Sequence, residues 1–109
     1  MKELCPRFEK AMQLFGKRWV GLILFELLEG PKRFSEIESE LPVSGRLLSE
    51  RLKMLEQEDI IERKVYSEFP VRIEYTLTDK GKALEAVIKG IQTWSEDWIT
   101  REEVENNKS

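Results

Sequence analysis

The chain has 109 residues, one domain's worth, and is 40% hydrophobic and 36% charged, so it has the apolar material for a small core and a well-solvated surface. It has no histidine and one cysteine, Cys5, which excludes an intramolecular disulfide, a Ser-His-Asp or Cys-His site within one chain, and the commonest metal ligand. The formal net charge of −3 runs against nucleic-acid binding, since DNA-binding domains are usually basic.

Along the chain, Pro6 suits a first helical turn, and Phe8, Ala11, Met12 and Phe15 recur at helical spacing, predicting a helix over 6–16 that stops at Gly16. A second helix over 18–29 carries Val20, Ile23, Leu24, Leu27 and Leu28 on one face and ends at Gly30-Pro31. A short third helix over 35–41 has Ser35 and Glu38 at capping-box spacing, with Phe34, Ile37 and Leu41 facing inward. Pro42 then breaks the chain. Ser44 is positioned to cap a fourth helix over about 45–58, whose inner face is Leu48, Leu52 and Leu55. So tight a connection between the third and fourth helices is the geometry of a helix-turn-helix.

The period then changes to two. Val71, Ile73, Tyr75 and Leu77 alternate with Arg72, Glu74 and Thr76, which pairs with the run ERKVY around Ser67-Glu68-Phe69-Pro70 as a hairpin. Thr78 caps a last helix over 79–99 with the stripe Leu84, Val87, Ile88, Ile91, Trp94 and Trp98. The expected fold is mainly α with a β-hairpin wing, a winged helix-turn-helix over residues 1–99, followed by a flexible acidic tail over 100–109. No apolar run approaches the roughly 20 residues that span a bilayer, and MKELCPRFEK lacks the apolar stretch of a signal peptide. The chain reads as cytoplasmic, with no membrane partner, cofactor or metal, and as no enzyme.

In a winged helix the fourth helix enters the major groove and the hairpin lies against the flanking backbone. Its outer face begins with Ser44, Gly45, Arg46, Leu47 and Ser49 and continues with Arg51 and Lys53; an arginine there pairs bidentately with guanine or holds a phosphate. Lys32 and Arg33 before the third helix, and Lys64 and Arg72 on the wing, are further phosphate candidates. The bland alternative for the wing pair is cross-strand pairing with Glu62 and Glu74. Charge is unevenly spread. Residues 1–20 carry five basic against two acidic side chains and residues 63–82 five against three, while residues 95–109 carry two against five. Local charge governs phosphate affinity within a Debye length of roughly 10 Å.

The ordered segments Cys5-Pro6, Gly16-Lys17-Arg18-Trp19, Gly30-Pro31-Lys32-Arg33-Phe34, Leu48-Ser49-Glu50-Arg51-Leu52-Lys53-Met54-Leu55-Glu56 and Pro70-Val71-Arg72-Ile73-Glu74-Tyr75-Thr76-Leu77-Thr78 resemble the HxlR-type family of bacterial winged-helix regulators over roughly residues 5–95. Two departures are an arginine inserted before Trp19 and Asp59-Ile60 in place of the family's Asp-Gly-Leu, which leaves the end of the fourth helix without its glycine. The resemblance implies homodimers packed through the first and last helices, bound to inverted repeats of double-stranded DNA near promoters. Phe8, Met12, Ile91, Trp94 and Trp98 are then the candidate dimer interface, aromatic residues being enriched in interface cores; otherwise the tryptophans cap the domain's own core. In some members the Cys-Pro cysteine senses electrophiles or oxidants. Cys5 precedes a helix N-terminus, which favours the thiolate; otherwise it is a small apolar residue under that helix.

The reading is a transcription regulator, with repression as the expected direction and a small molecule or oxidant as inducer. The alternative is a winged helix used for protein interaction without sequence-specific DNA binding, which the acidic total favours.

Overall fold

The computed structural model describes residues 5–106. Among these the order is α1 (Pro6–Phe15), α2 (Val20–Leu27), α3 (Phe34–Glu40), α4 (Gly45–Gln57), β1 (Ile61–Tyr66), β2 (Arg72–Leu77), α5 (Asp79–Lys82), α6 (Glu85–Trp98) and α7 (Arg101–Asn106). This is the expected winged helix-turn-helix. The core is built where the periodicity placed it: Val20, Ile23, Leu24 and Leu27 of α2, Ile37 of α3, Leu48, Leu52 and Leu55 of α4, and Ile60, Ile61 and Leu77 at the base of the hairpin are buried together. Each such side chain contributes roughly 1.5–3 kcal/mol by leaving water. The turn between α3 and α4 adds Leu41 and Val43 to that core, and the Val43 amide donates to the Leu41 carbonyl at 2.7 Å.

The wing is antiparallel, in register from Ile61 opposite Leu77 to Tyr66 opposite Arg72. Lys32 adds a one-residue third strand: its amide donates to the Tyr75 carbonyl at 3.0 Å, and the Tyr75 amide donates back at 2.8 Å. With neighbours on both sides, β2 is half-buried along most of its length instead of alternating buried and exposed.

Local chemistry corrects several expectations. The cap of α3 lies two residues earlier: the Arg33 amide donates to the Glu36 carboxylate at 2.9 Å, so Glu36 rather than Glu38 closes that helix end. α2 begins at Val20, because Trp19 is held in the left-handed region at φ 78° and closes the turn after α1. The missing glycine after α4 is replaced by Asp59, itself left-handed at φ 60°. The Ile60 amide donates to the Leu55 carbonyl at 2.9 Å and the Asp59 amide to the Glu56 carbonyl at 3.0 Å; this paired closure is a Schellman motif, in which Ile60 packs near Leu55 within the core.

The last expected helix is divided. Thr78 caps it as foreseen, its hydroxyl oxygen accepting from the Gly81 amide at 3.1 Å. Gly81 then lies so close to the end of α4 that a Cβ would stand 2.2 Å from the Ile60 carbonyl oxygen. The Leu84 amide reaches back three residues to the Gly81 carbonyl at 3.0 Å, a tight 3₁₀-type turn that separates α5 from α6. Within the segment read as a tail, Arg101–Asn106 is helical, with the Glu103 amide capped by the Thr100 hydroxyl at 3.0 Å.

The radius of gyration is 16.0 Å, against about 13 Å for a compact chain of this length. The terminal helices account for the excess. α1 buries no residue fully and α6 only Ile88.

Candidate nucleic-acid interface

α4 is anchored by its leucine face and presents its polar face outward. At its start the Ser44 hydroxyl accepts from the Leu47 amide at 3.1 Å, fixing the entry of the chain. Arg46 stands on the first turn with its side chain 91% exposed and only a loose surface contact to Glu50, 3.7 Å away. Ser44 and Lys53 are exposed, while Gly45, Leu47 and Ser49 are half-buried beside them. Exposed Arg46 and Lys53 are the side chains of α4 whose charge remains available to a phosphate or a base edge.

Arg51 has a different position. Its Nε donates to the Arg18 carbonyl at 3.0 Å, which ties the outer face of α4 to the turn before α2. The backbone group it holds belongs to the residue preceding left-handed Trp19, so Arg51 stabilises that conformation. Arg18 in turn lays its guanidinium 5.0 Å from the centroid of the Trp19 ring and is exposed. It is a cation beside α4 that periodicity alone did not bring forward; the signal was its place in the Gly16-to-Trp19 segment.

The remaining cations divide in the same way. Lys32 sits between Glu29, at 2.9 Å, and Glu26, at 3.6 Å, and the hydrogen bond it donates to Glu29 raises its pKa above the ordinary lysine range. Arg33 is exposed, and among the described residues it makes no ion pair. On the wing, Arg72 contacts Glu68 at 3.1 Å and Glu74 at 3.4 Å and stacks 4.2 Å from the Tyr66 ring centroid. It organises the wing from within and leaves the tip to Phe69, whose side chain is fully exposed. Lys64 faces Glu74 across the ladder, is exposed, and makes no ion pair among the described residues. Glu62 lies opposite Thr76 and takes no part in these pairings.

The apolar faces of α1 and α6 are open. Phe8, Met12, Ile91, Trp94 and Trp98 are all more than half exposed, Trp98 reaching 72%. The tryptophans do not cap this chain's own core. Leu22 and Phe25 of α2 continue the surface, and an apolar groove of about 350 Å³ runs between α2 and α6, lined by Phe15, Gly21, Leu22, Phe25, Ile88 and Ile91. Cys5, at the N-terminus of α1, is exposed. The Phe8 and Arg7 amides of the first helical turn hold its thiol below the usual cysteine range; the Arg7 side chain adds a smaller contribution in the same direction. Among the described residues there is no group of side chains arranged to hold a metal ion and no helix long and apolar enough to cross a membrane.

Comparison with known proteins gives a consistent result. Residues 14–103 match the family model described as HxlR-like helix-turn-helix. The uncharacterized HTH-type transcriptional regulator YvaP of Bacillus subtilis is 60% identical over 98 residues, 89% of this chain and 91% of that protein. The HTH-type transcriptional regulator YodB of the same organism is 51% identical over 96 residues, 87% of this chain and 86% of that one. The reduced form of YodB superposes with a TM-score of 0.79 at 50% identity, covering 89% of this chain and 96% of that structure; YodB is also known in a diamide-treated and a quinone-bound form. The redox regulator HypR in its oxidized form superposes with a TM-score of 0.80 at 33% identity, covering 85% and 96% of the two chains.

Proposed function

This chain belongs to the HxlR-like helix-turn-helix family and is a DNA-binding transcription regulator; on that premise we propose that it acts in the cytoplasm as a homodimeric repressor of an inverted-repeat operator. The observation that carries this is the division of α4: Leu48, Leu52 and Leu55 are buried while Lys53, and Arg46 with only its loose contact to Glu50, stand exposed on the outer face. Arg46, with Ser44, Gly45, Leu47 and Ser49 around it, reads or grips the groove at the start of the helix. Lys53, Arg33 and Lys64 hold flanking phosphates. Arg51, Arg72 and Lys32 act chiefly by shaping the surface, because their charged groups are already engaged. The acidic total is compatible with this, since the C-terminal acids lie in a separate part of the sequence from these cations.

The second subunit covers the apolar face of α1 and α6. Packing Phe8, Met12, Ile91, Trp94 and Trp98 against their symmetry mates fills the groove beside α2 and sets two recognition helices about 34–36 Å apart, one turn of DNA. Cys5 is the redox-responsive group. Its exposed, thiolate-favouring position suits attack on an oxidant or electrophile. With diamide, two Cys5 thiols give up two protons and two electrons to the diazene, which becomes the hydrazine, and an intersubunit disulfide forms; with a small thiol present, a mixed disulfide forms instead.

The test is selection of bound fragments from genomic DNA, then anisotropy titration of the best fragment with reduced protein, diamide-treated protein and Cys5→Ser. The expected result is a nanomolar inverted repeat released by diamide only when Cys5 is present. Tight binding indifferent to oxidant retains the regulator and removes the sensor. No enriched sequence, with weak salt-screened binding alone, sinks the operator reading in favour of a protein-interaction module.

A further inference from the structure

The molecule has a second groove, on the far side of α1 from the apolar face, of about 570 Å³. That is within the roughly 300–1,000 Å³ of small-molecule sites. Its floor is apolar: Leu14 and Phe15 on α1, Met54 on α4, Ile60 after it, and Leu84 between α5 and α6. Its rim is cationic, with Arg7, Lys10, Lys17 and Lys80 against the single carboxylate of Glu58. Lys10 reaches Glu58 at 3.5 Å across the groove, and Lys80 donates to the Glu58 backbone carbonyl at 2.6 Å. Lys10 therefore accounts for the one acid, and Arg7, Lys17 and Lys80 remain as charges without a carboxylate partner among the described residues. In a chain of net charge −3, three uncompensated cations around one apolar floor form a local reversal of sign.

We propose that this groove is an effector site for a small amphipathic anion, an aromatic or aliphatic carboxylate whose hydrocarbon part lies on the Leu14–Met54–Leu84 floor and whose charge is held by the rim. The chemistry is complementary at both ends. The apolar floor gains from hydrocarbon burial, and a carboxylate replaces the charge that the rim lacks. The site also sits at a mechanical junction. One wall is α1; the other is the C-terminal end of α4 and the start of β1 and α5. A ligand that takes Lys10 from Glu58 loosens an ion pair joining these walls and shifts α1 against the recognition helix. The link to operator affinity rests on the proposed DNA-binding dimer; the binding site itself does not, and needs no reaction at Cys5.

The experiment is calorimetric titration of the full-length protein with 1-naphthoate and decanoate, and with uncharged 1-naphthamide. Both acids are expected to bind wild type and Cys5→Ser alike, one per chain, and the amide at least tenfold more weakly. Ala11→Trp, a change at an exposed groove-lining position of α1, fills the groove and abolishes binding; Arg7→Glu with Lys17→Glu weakens it at least tenfold. Circular dichroism and gel filtration check that these variants keep fold and assembly. No heat with either acid, equal binding of the amide, or unchanged binding by folded Ala11→Trp overturns the site. Anisotropy with operator DNA then reads coupling: saturating 1-naphthoate is expected to lower affinity at least tenfold. Unchanged affinity overturns the effector role while the calorimetric site stands, and a protein that binds ligand but no DNA fails the regulator reading instead.

Discussion

The segment from α2 to α5 and the two flanking helices α1 and α6 are both amphipathic in sequence, yet only the first completes its burial. Between Val20 and Leu77 the apolar faces of three helices and a hairpin close on one another. In α6 the same kind of stripe leaves Val87, Ile91, Trp94 and Trp98 in solvent. Periodicity identifies a face that requires covering but does not say whether the cover comes from the same chain. The lesson for small domains is that a helix with a strong stripe and one buried residue marks where a second molecule belongs.

The largest expected effect separates these regions directly. Trp94→Glu places a charge on the open face and is expected to convert the proposed dimer to monomer, read as halved mass by sedimentation equilibrium. Operator affinity falls about 100-fold as the two half-sites lose their linkage. Far-UV circular dichroism stays unchanged, because no buried contact of the α2–α5 core is lost. A monomeric wild type of equal operator affinity breaks the comparison. Gly81→Ala does the converse. Its Cβ collides with the Ile60 carbonyl oxygen, a backbone atom that cannot step aside, so stability falls by about 3 kcal/mol. The melting temperature falls on the order of 10–20 °C, and a drop below about 2 °C shows that the close approach of Gly81 to Ile60 is not required.

What was legible in the sequence follows the same division. Leu48, Leu52 and Leu55 at spacings of four and three could only face inward, and Ser44 could only cap the helix they define. The site was half legible. The position of Arg46 follows from its distance to that cap. The engagement of Arg51 does not, because its partner is the backbone of Arg18, 33 residues away. Lys32 and Arg72 read as candidate phosphate contacts, with Glu74 weighed as a partner for the wing; Glu29 and Glu68 lie within four residues of them in sequence, and the fold turns these acids, with Glu26 and Glu74, onto their charges. Charge is visible in a sequence, but which of the neighbouring acids meets a given cation depends on the local turn and strand geometry, and the Arg51 engagement on a contact across the fold. The Gly81 contact was invisible for that reason too.

A smaller effect tests the join between α4 and the wing. Asp59 fills a left-handed position that the family's glycine would occupy without strain. Asp59→Gly is expected to raise stability by about 0.5–1 kcal/mol, measured by urea unfolding with unchanged slope. The gain is limited because glycine also loosens the unfolded chain, and a loss would show that the aspartate side chain supports the turn.

The smallest effect concerns the edge of the open region. Because first-turn amides lower the Cys5 pKa, the thiolate persists to lower pH than in a free cysteine. Alkylation by iodoacetamide against pH should therefore show a midpoint below the roughly 8.5 of an unperturbed thiol. The sign is that of an acid whose charged form is favoured: reactivity is retained as pH falls until the lowered pKa is passed. Arg7→Ala should move the midpoint upward only slightly, since the Arg7 side chain contributes less than the two backbone amides. A full return to 8.5 would transfer the effect from the helix terminus to the guanidinium. A wild-type midpoint at 8.5 would leave Cys5 with ordinary thiol chemistry, and any oxidant response would then have to come from its exposure alone.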